Sequence, residues 1–293
     1  MHNEEISILK NNRDRDSTNL IKRIKKFKLI DKNYISILIT NYNKEKFLKK
    51  SLSSVVSQSF KNYEIIFYDD ASTDNSINIV KKFKKVKLIK NFKKNNIKSA
   101  PLNQIHGIME AFKLSKGGII CLLDSDDIFK KNKLEKILLY FKNNNKNNFV
   151  VNLPFAKKNF YLKRINSNES TWPTIFPTSC ISFRRNFFIK YLKYIKKNNF
   201  YNLEIDARLL IYAHHYCEDL NIINDNLTTY IDDTDGISSK YKKYSINWWL
   251  KRYEAFQYLR FILKKKKKRF MISYDYYFTM LIFVLLNLLK KNN

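Results

Sequence analysis

Asp124, Asp126 and Asp127 crowd around Ser125, directly after the apolar run of residues 118–123. An uninterrupted apolar run of that length reads as a buried strand, so the three acids sit where the strand meets solvent. Carboxylates this close repel one another, and the crowding is offset only by a cation or by a set of amide donors. The chemistry they suit is the gripping of a hard metal ion against a phosphate. The same acids also fit a helix start, in which Asp126 or Asp127 caps a pattern carrying Ile128, Leu134, Ile137 and Leu138. A second acidic pair, Asp69 and Asp70, closes another apolar run at residues 63–68.

The elements that must position these acids follow from periodicity. Residues 35–39 read as a buried strand, and Asn43 is placed to cap a helix whose face carries Phe47, Leu48, Leu52, Val55 and Val56. After the strand at 63–68, a polar turn leads into a helix with Ile77, Val80 and Phe83, and residues 86–89 form a third strand. Pro101 suits a first helical position, ahead of Ile105, Ile108, Met109 and Phe112, and Gly117-Gly118 breaks that helix before the strand leading to Asp124. Short apolar runs alternating with helical periodicity predict a mostly parallel α/β sheet flanked by helices. Both acidic clusters then lie at carboxyl ends of strands, the rim where open α/β sheets bind ligands. Further on, the pattern predicts strands at 179–183, 221–223 and 227–231, a helix over 203–212 and a long aromatic helix over 246–263.

With 293 residues, 44% of them hydrophobic, the chain can bury a core. Its net charge of +30 attracts anions in general and does not choose among nucleotides, nucleic acid and lipid headgroups. Lysine is spread over nearly every segment, and no nucleic-acid motif accompanies it. Four glycines, none near the start, supply neither a dinucleotide fingerprint nor a P-loop. Cys121, Cys180 and Cys217 are odd in number and lack metal spacing, which points to a reducing, cytoplasmic setting. Residues 1–33 carry no apolar signal core and read as a basic leader. Residues 264–269 form a basic block before a stretch at 270–289 that is apolar but interrupted by Ser273, Asp275 and Asn287. That stretch reads as a helix docked on its own domain or lying on an anionic membrane surface at the inner face of the cytoplasmic membrane, in preference to a span.

Taken together, residues 35–43 (Ile-Ser-Ile-Leu-Ile-Thr-Asn-Tyr-Asn), residues 68–76 (Tyr-Asp-Asp-Ala-Ser-Thr-Asp-Asn-Ser) and residues 123–127 (Leu-Asp-Ser-Asp-Asp) resemble the three ordered signatures of the family 2 glycosyltransferases. The resemblance is strong over 34–150 and looser over 170–260. It implies the GT-A fold with a C-terminal helical extension, a nucleotide-sugar donor (UDP-linked by preference), a divalent ion (Mn2+ or Mg2+) and inversion at the anomeric carbon. The acceptor it implies is a glycan or lipid-linked molecule, in cell-envelope polysaccharide synthesis. A GT-A domain at 34–240 would divide into a nucleotide-binding half (34–150) and an acceptor half (151–240), followed by the extension at 241–293.

Carried over residue by residue, the resemblance lines the nucleotide with Thr40, Asn41, Tyr42 and Asn43, together with Asp69, Asp70 and Ser125. Asp124 approaches ribose or metal, Asp126 holds the metal, and Lys240 is a candidate for the diphosphate. Inversion needs a general base, and the segment around Glu204 and Asp206 matches the region that supplies it, with Asp206 preferred and Glu204 second. Two departures stand out: Thr40 replaces a proline common in the first motif, and Ala71 replaces the glycine usual after the paired aspartates. A sugar nucleotidyltransferase or a non-enzymatic basic protein, binding membrane or nucleic acid by charge alone, are the competing readings.

Overall fold

The computed structural model describes residues 31–92, 99–155, 173–195, 200–217, 221–231, 236, 240–270 and 273–291. Most of the leader, the segment 95–98, Trp172 and most of the polar loop 232–239 lie outside the described residues.

The first half alternates β1 (Ile35–Asn41), α1 (Glu45–Val56), β2 (Tyr63–Asp69), α2 (Ser76–Lys81), β3 (Val86–Lys90), α3 (Ala100–Leu114) and β4 (Ile119–Asp124). Then come β5 (Ile128–Phe129), α4 (Lys133–Asn143), β6 (Phe149–Pro154), β7 (Ile181–Arg184), α5 (Arg185–Tyr191), α6 (Ile205–Tyr216), β8 (Asn221–Thr229), α7 (Ile246–Lys265) and α8 (Tyr274–Lys291). The described strands make one eight-stranded sheet in the order β3-β2-β1-β4-β7-β6-β8-β5. β1, β2, β3 and β4 are mutually parallel, whereas β7 runs antiparallel to both β4 and β6. This is a mixed α/β sheet with flanking helices and a helical C-terminal region.

The period of two along β1 explains how the sheet is covered on both faces. Ile35, Ile37 and Ile39 enter one apolar cluster with Leu48 and Leu52 of α1 and Leu134 and Ile137 of α4. Leu38 joins the opposite cluster, with Ile105 and Phe112 of α3 and Leu209 of α6.

Three local expectations are corrected. Asn43 does not cap α1: its φ of 51° takes it out of the N-cap geometry, and its carboxamide bonds Thr73 instead. The helix start is capped across the chain, since Asp74 accepts from the Glu45 N–H at 2.9 Å and Glu45 accepts from the Asn75 N–H at 2.7 Å. Neither Asp126 nor Asp127 caps a helix, because Ile128 and Phe129 pair with Thr229 and Thr228 as a short strand and α4 begins only at Lys133. The two strands expected at 221–223 and 227–231 are one irregular strand, bulged opposite Asn152 and Leu153. Among the described residues no helix is long and apolar enough to cross a membrane.

Candidate active site

Register brings the rim together. Asn41 pairs with Asp69 across β1 and β2, and Thr40 pairs with Asp124 across β1 and β4, so three strand ends carry their polar residues to one edge. Gly107 of α3 lets that helix lie close over it: a Cβ there would sit 2.6 Å from the Tyr68 ring and 3.0 Å from the Thr40 methyl.

Asn41 and Asp69 are buried at the rim. Asp69 is 0% exposed, and its carboxylate accepts from Asn41 Nδ2 (2.9 Å), the Ser72 N–H (2.9 Å) and the Ser72 hydroxyl (2.6 Å). Ser72 Oγ in turn accepts from the Asn43 N–H at 3.0 Å, which ties the loop after β1 to the loop after β2. Asp70 sits nearer the surface and accepts from Asn91 Nδ2 at 3.0 Å. Tyr42 and Asn43 are exposed on the same edge.

The turn after Asp70 puts Ala71 at a φ of 58°. That is the left-handed region, which glycine enters freely and alanine enters at a cost of about 1 kcal/mol. The glycine that the family pattern places here is therefore absent while its backbone conformation is kept. Ala71→Gly is expected to stabilise the fold by about 1 kcal/mol, read as a higher urea midpoint at unchanged slope.

The acidic loop is held from below. Asp124 donates its N–H to Ser179 Oγ (2.9 Å), and its Oδ1 accepts from Gln104 Nε2 at 2.7 Å. Asp127 accepts from the Ile231 N–H at 2.9 Å. Lys133 is 0% exposed and donates to the Ser179 carbonyl (2.6 Å) and to Thr228 Oγ1 (2.8 Å), so a buried ammonium binds the strands under the loop. Burial lowers its pKa to about 8, against the pull of Cys180, Cys121 and Asp127. Ser125 is buried, whereas Asp126 reaches out to Lys44 Nζ at 3.0 Å.

Electrostatics shows what converges. Burial, then Asp126, Asp127 and Asp206, raise the Asp124 carboxyl well above the usual carboxylate range, with the Gln104 bond opposing. Asp127 is pushed up to about 7, by burial first and Asp126 second. Asp206, in the first turn of α6, therefore stands close enough to feel Asp124, although it comes from the second half of the chain. Its own carboxyl is pushed up to about 7 by burial and by Glu204, against Lys251.

Glu204 has a different neighbourhood. It is 8% exposed, and its Oε1 meets Lys251 Nζ of α7 at 2.5 Å. Arg208 is fully buried and donates to the Leu203 and Phe200 carbonyls, which fixes the start of α6. Lys251→Met would strand Glu204 in a nearly closed site. We expect a loss of about 1–3 kcal/mol in unfolding free energy, largely restored by Lys251→Arg, as measured by urea denaturation.

Lys240 is exposed at the edge of the described residues, and its backbone carbonyl accepts from Asn247 Nδ2 at 3.5 Å. Nothing described draws its ammonium toward the rim. His106 packs edge-on against Tyr68, and His214 against His215, consistent with a packing role. Lys44, Gln104, Lys133, Ser179 and Lys251 carry no signal in the sequence. The lysines stand among 56 Lys and Arg, and their partners lie far along the chain.

Carboxylate oxygens are the donors a hard divalent ion takes, and two of them suffice where phosphate oxygens complete the shell. Asp124 and Asp126 fit that demand, since crowding and burial leave Asp124 short of positive charge. Among the described residues no three His, Cys, Asp or Glu side chains are grouped to hold a metal by themselves. Such an ion would be shared with the diphosphate.

An open sheet with this strand order, acids at its carboxyl edge and a further carboxylate delivered from the second half defines the GT-A class of glycosyltransferases. The chain belongs to glycosyl transferase family 2, whose family model matches residues 36–210. That membership sets aside the nucleotidyltransferase and non-enzymatic readings. Over 116 residues it is 35% identical to the poly(ribitol-phosphate) beta-N-acetylglucosaminyltransferase TarP of Staphylococcus aureus, covering 38% of this chain and 34% of that protein. The chain's matches span 18% to 34% of the length of four such curated relatives. Two solved structures share the fold. S. aureus TarS 1–349 in complex with UDP-GlcNAc aligns at a TM-score of 0.59 and 15% identity over 78% of this chain and 66% of that one. Mannosyltransferase PcManGT from Pyrobaculum calidifontis, solved with GDP-Man and Mn2+, aligns at 0.58 and 15% identity over 89% and 73%.

Proposed function

We propose that the protein transfers a sugar, with inversion, from a nucleotide-diphosphate sugar to a hydroxyl of a glycan or lipid-linked acceptor. The observation that carries this reading is the convergence of the ends of β1, β2 and β4 on one edge, where Asp206 of α6 adds to the negative charge felt by Asp124. In this reading the exposed Tyr42 and Asn43, with the buried Asp70 beside them, receive the base and ribose, while Asn41 and Asp69 keep that edge in shape from below.

A leaving nucleotide diphosphate accumulates negative charge as the glycosidic bond breaks, and a divalent ion supplies the compensating charge when bound. Asp124 and Asp126 are the residues that would hold it. Asp206 takes the proton of the acceptor hydroxyl on the face opposite the leaving group. Glu204 is the weaker candidate for base because Lys251 already engages its carboxylate. Lys251 pairs with Glu204 at the start of α6 and so helps to hold Asp206 in place.

UDP-linked donors are the first to test, since TarS was solved with UDP-GlcNAc, with GDP-mannose second on the PcManGT likeness. The three free cysteines, two of them buried, fit a reducing compartment, and we place the reaction in the cytoplasm. Thermal-shift screening of UDP- and GDP-sugars with Mn2+ tests the reading. A rise in melting temperature for at least one donor, lost in Asp126→Ala, is expected; indifference to every donor would overturn it.

A further inference from the structure

The last described helix, α8, turns an apolar face outward. Tyr277 is 61% exposed, Leu281 55%, Leu285 46% and Leu288 55%, and Tyr274 and Phe278 extend the same surface. The spacing of these positions is helical, so they form one stripe along a helix of about 27 Å. The inner side is already occupied: Tyr276 packs on Phe256 of α7 and Tyr253 stacks on Phe283. The acidic side chain on α8, Asp275, is held by Arg252, which leaves the outward stripe without charge along its length. A helix that is apolar on both sides needs a cover on the second side.

Charge decides what the cover is. At the end of α7 and in the turn after it the chain presents Lys264, Lys265, Lys266, Lys267, Lys268 and Arg269, all exposed and uninterrupted by an acid. A second copy of the chain would bring the same cations and the same +30 charge to the contact. A bilayer bearing anionic headgroups meets both features at once, with acyl chains against the stripe and phosphates against the basic block. The aromatic rim agrees, because Tyr274, Tyr277 and Phe278 lie at the end of the helix nearest the lysines, and Trp249 touches Phe278. Aromatic side chains of this kind sit at headgroup level.

We infer that α8, together with the basic block before it, seats the protein on an anionic lipid surface, with the helix axis in the membrane plane. This goes beyond the transfer chemistry and does not depend on it. It does bear on the acceptor: adjacent residues of α7 hold the two parts, Lys251 binding Glu204 beside the proposed base and Arg252 binding Asp275 and Thr279 of α8. Seating α8 on lipid therefore tethers the acceptor half of the cleft to the bilayer surface.

The test is co-sedimentation of the full chain with vesicles of phosphatidylcholine alone and of phosphatidylcholine mixed with phosphatidylglycerol, alongside sedimentation velocity without lipid. Binding to the anionic vesicles is expected to exceed binding to the neutral ones by roughly tenfold or more and to weaken with salt. Two variants separate the contributions, both made at exposed positions. Leu281→Ser with Leu285→Ser and Leu288→Ser should lose most vesicle binding, and Lys264→Gln with Lys265→Gln and Lys268→Gln should lose the preference for anionic lipid. No binding to anionic vesicles, equal binding to both compositions, or a lipid-free dimer that the leucine variant dissociates would overturn the inference, the last by assigning the stripe to a second copy.

Discussion

Asp206→Asn is expected to lower sugar transfer by about 10²–10⁴-fold while leaving nucleotide affinity within a factor of about two, the signature of a lost general base. Transfer and donor binding should be measured separately, by acceptor glycosylation and by calorimetric titration of the nucleotide. Full transfer in the variant would move the base elsewhere, and weakened donor binding would make Asp206 a nucleotide contact. The pH dependence has a definite sign. The base works only ionised, and burial and Glu204 push the Asp206 carboxyl up to about 7, so transfer should rise with pH through an acid limb.

The same displacement predicts an effect on stability. A carboxyl whose folded pKa is raised from 3.8 to about 7 adds stability that is fully present below its unfolded value and is lost as pH rises through the folded one. At pH above 7 the native protein therefore carries a partly buried charge at a cost on the order of 1–3 kcal/mol, allowing for solvent relaxation. Asp206→Asn should melt higher than the parent in alkaline buffer and match it in acid. A variant that is inactive yet more stable is hard to explain by damage to the fold, which is why the pair of measurements is informative.

Asp126→Ala carries the second large effect. Asp126 is the acid of the loop that reaches outward, and its recorded partner is the Lys44 ammonium at 3.0 Å. If it shares a divalent ion with the diphosphate, its loss should weaken Mn2+-dependent nucleotide binding by roughly 10²-fold. Chelation should bring the parent down to the level of the variant and leave the variant unmoved. Equal affinity of parent and variant in Mn2+ would remove Asp126 from the metal.

Much of the fold was legible because its signals are local. Short apolar runs gave β1, β2 and β4, the last two closed by acids, helical periodicity gave α1, α3 and α7, and the parallel order of the first strands follows from their alternation. Errors fell where two distant segments settle the matter. Asn43 looks like a cap until Asp74 supplies one from the next loop. Ile128 looks like a helix start until β8 returns to pair with it. That Asn41 Nδ2 and Asp69 are tied to Ser72 is equally invisible until the loop after β2 folds back.

The chain by itself determined the family signatures, the acidic strand ends and their common edge, because register in a parallel sheet follows from the apolar pattern of each strand. Tertiary structure alone decided which acids gain an ion-pair partner among the described residues. Glu204 and Asp206 are two residues apart and chemically alike, yet α7 delivers Lys251 to the first, while the fold of the second half sets the other near Asp124. Charge state depends on burial and on neighbours within a few ångströms, and those neighbours are brought together only when remote segments pack.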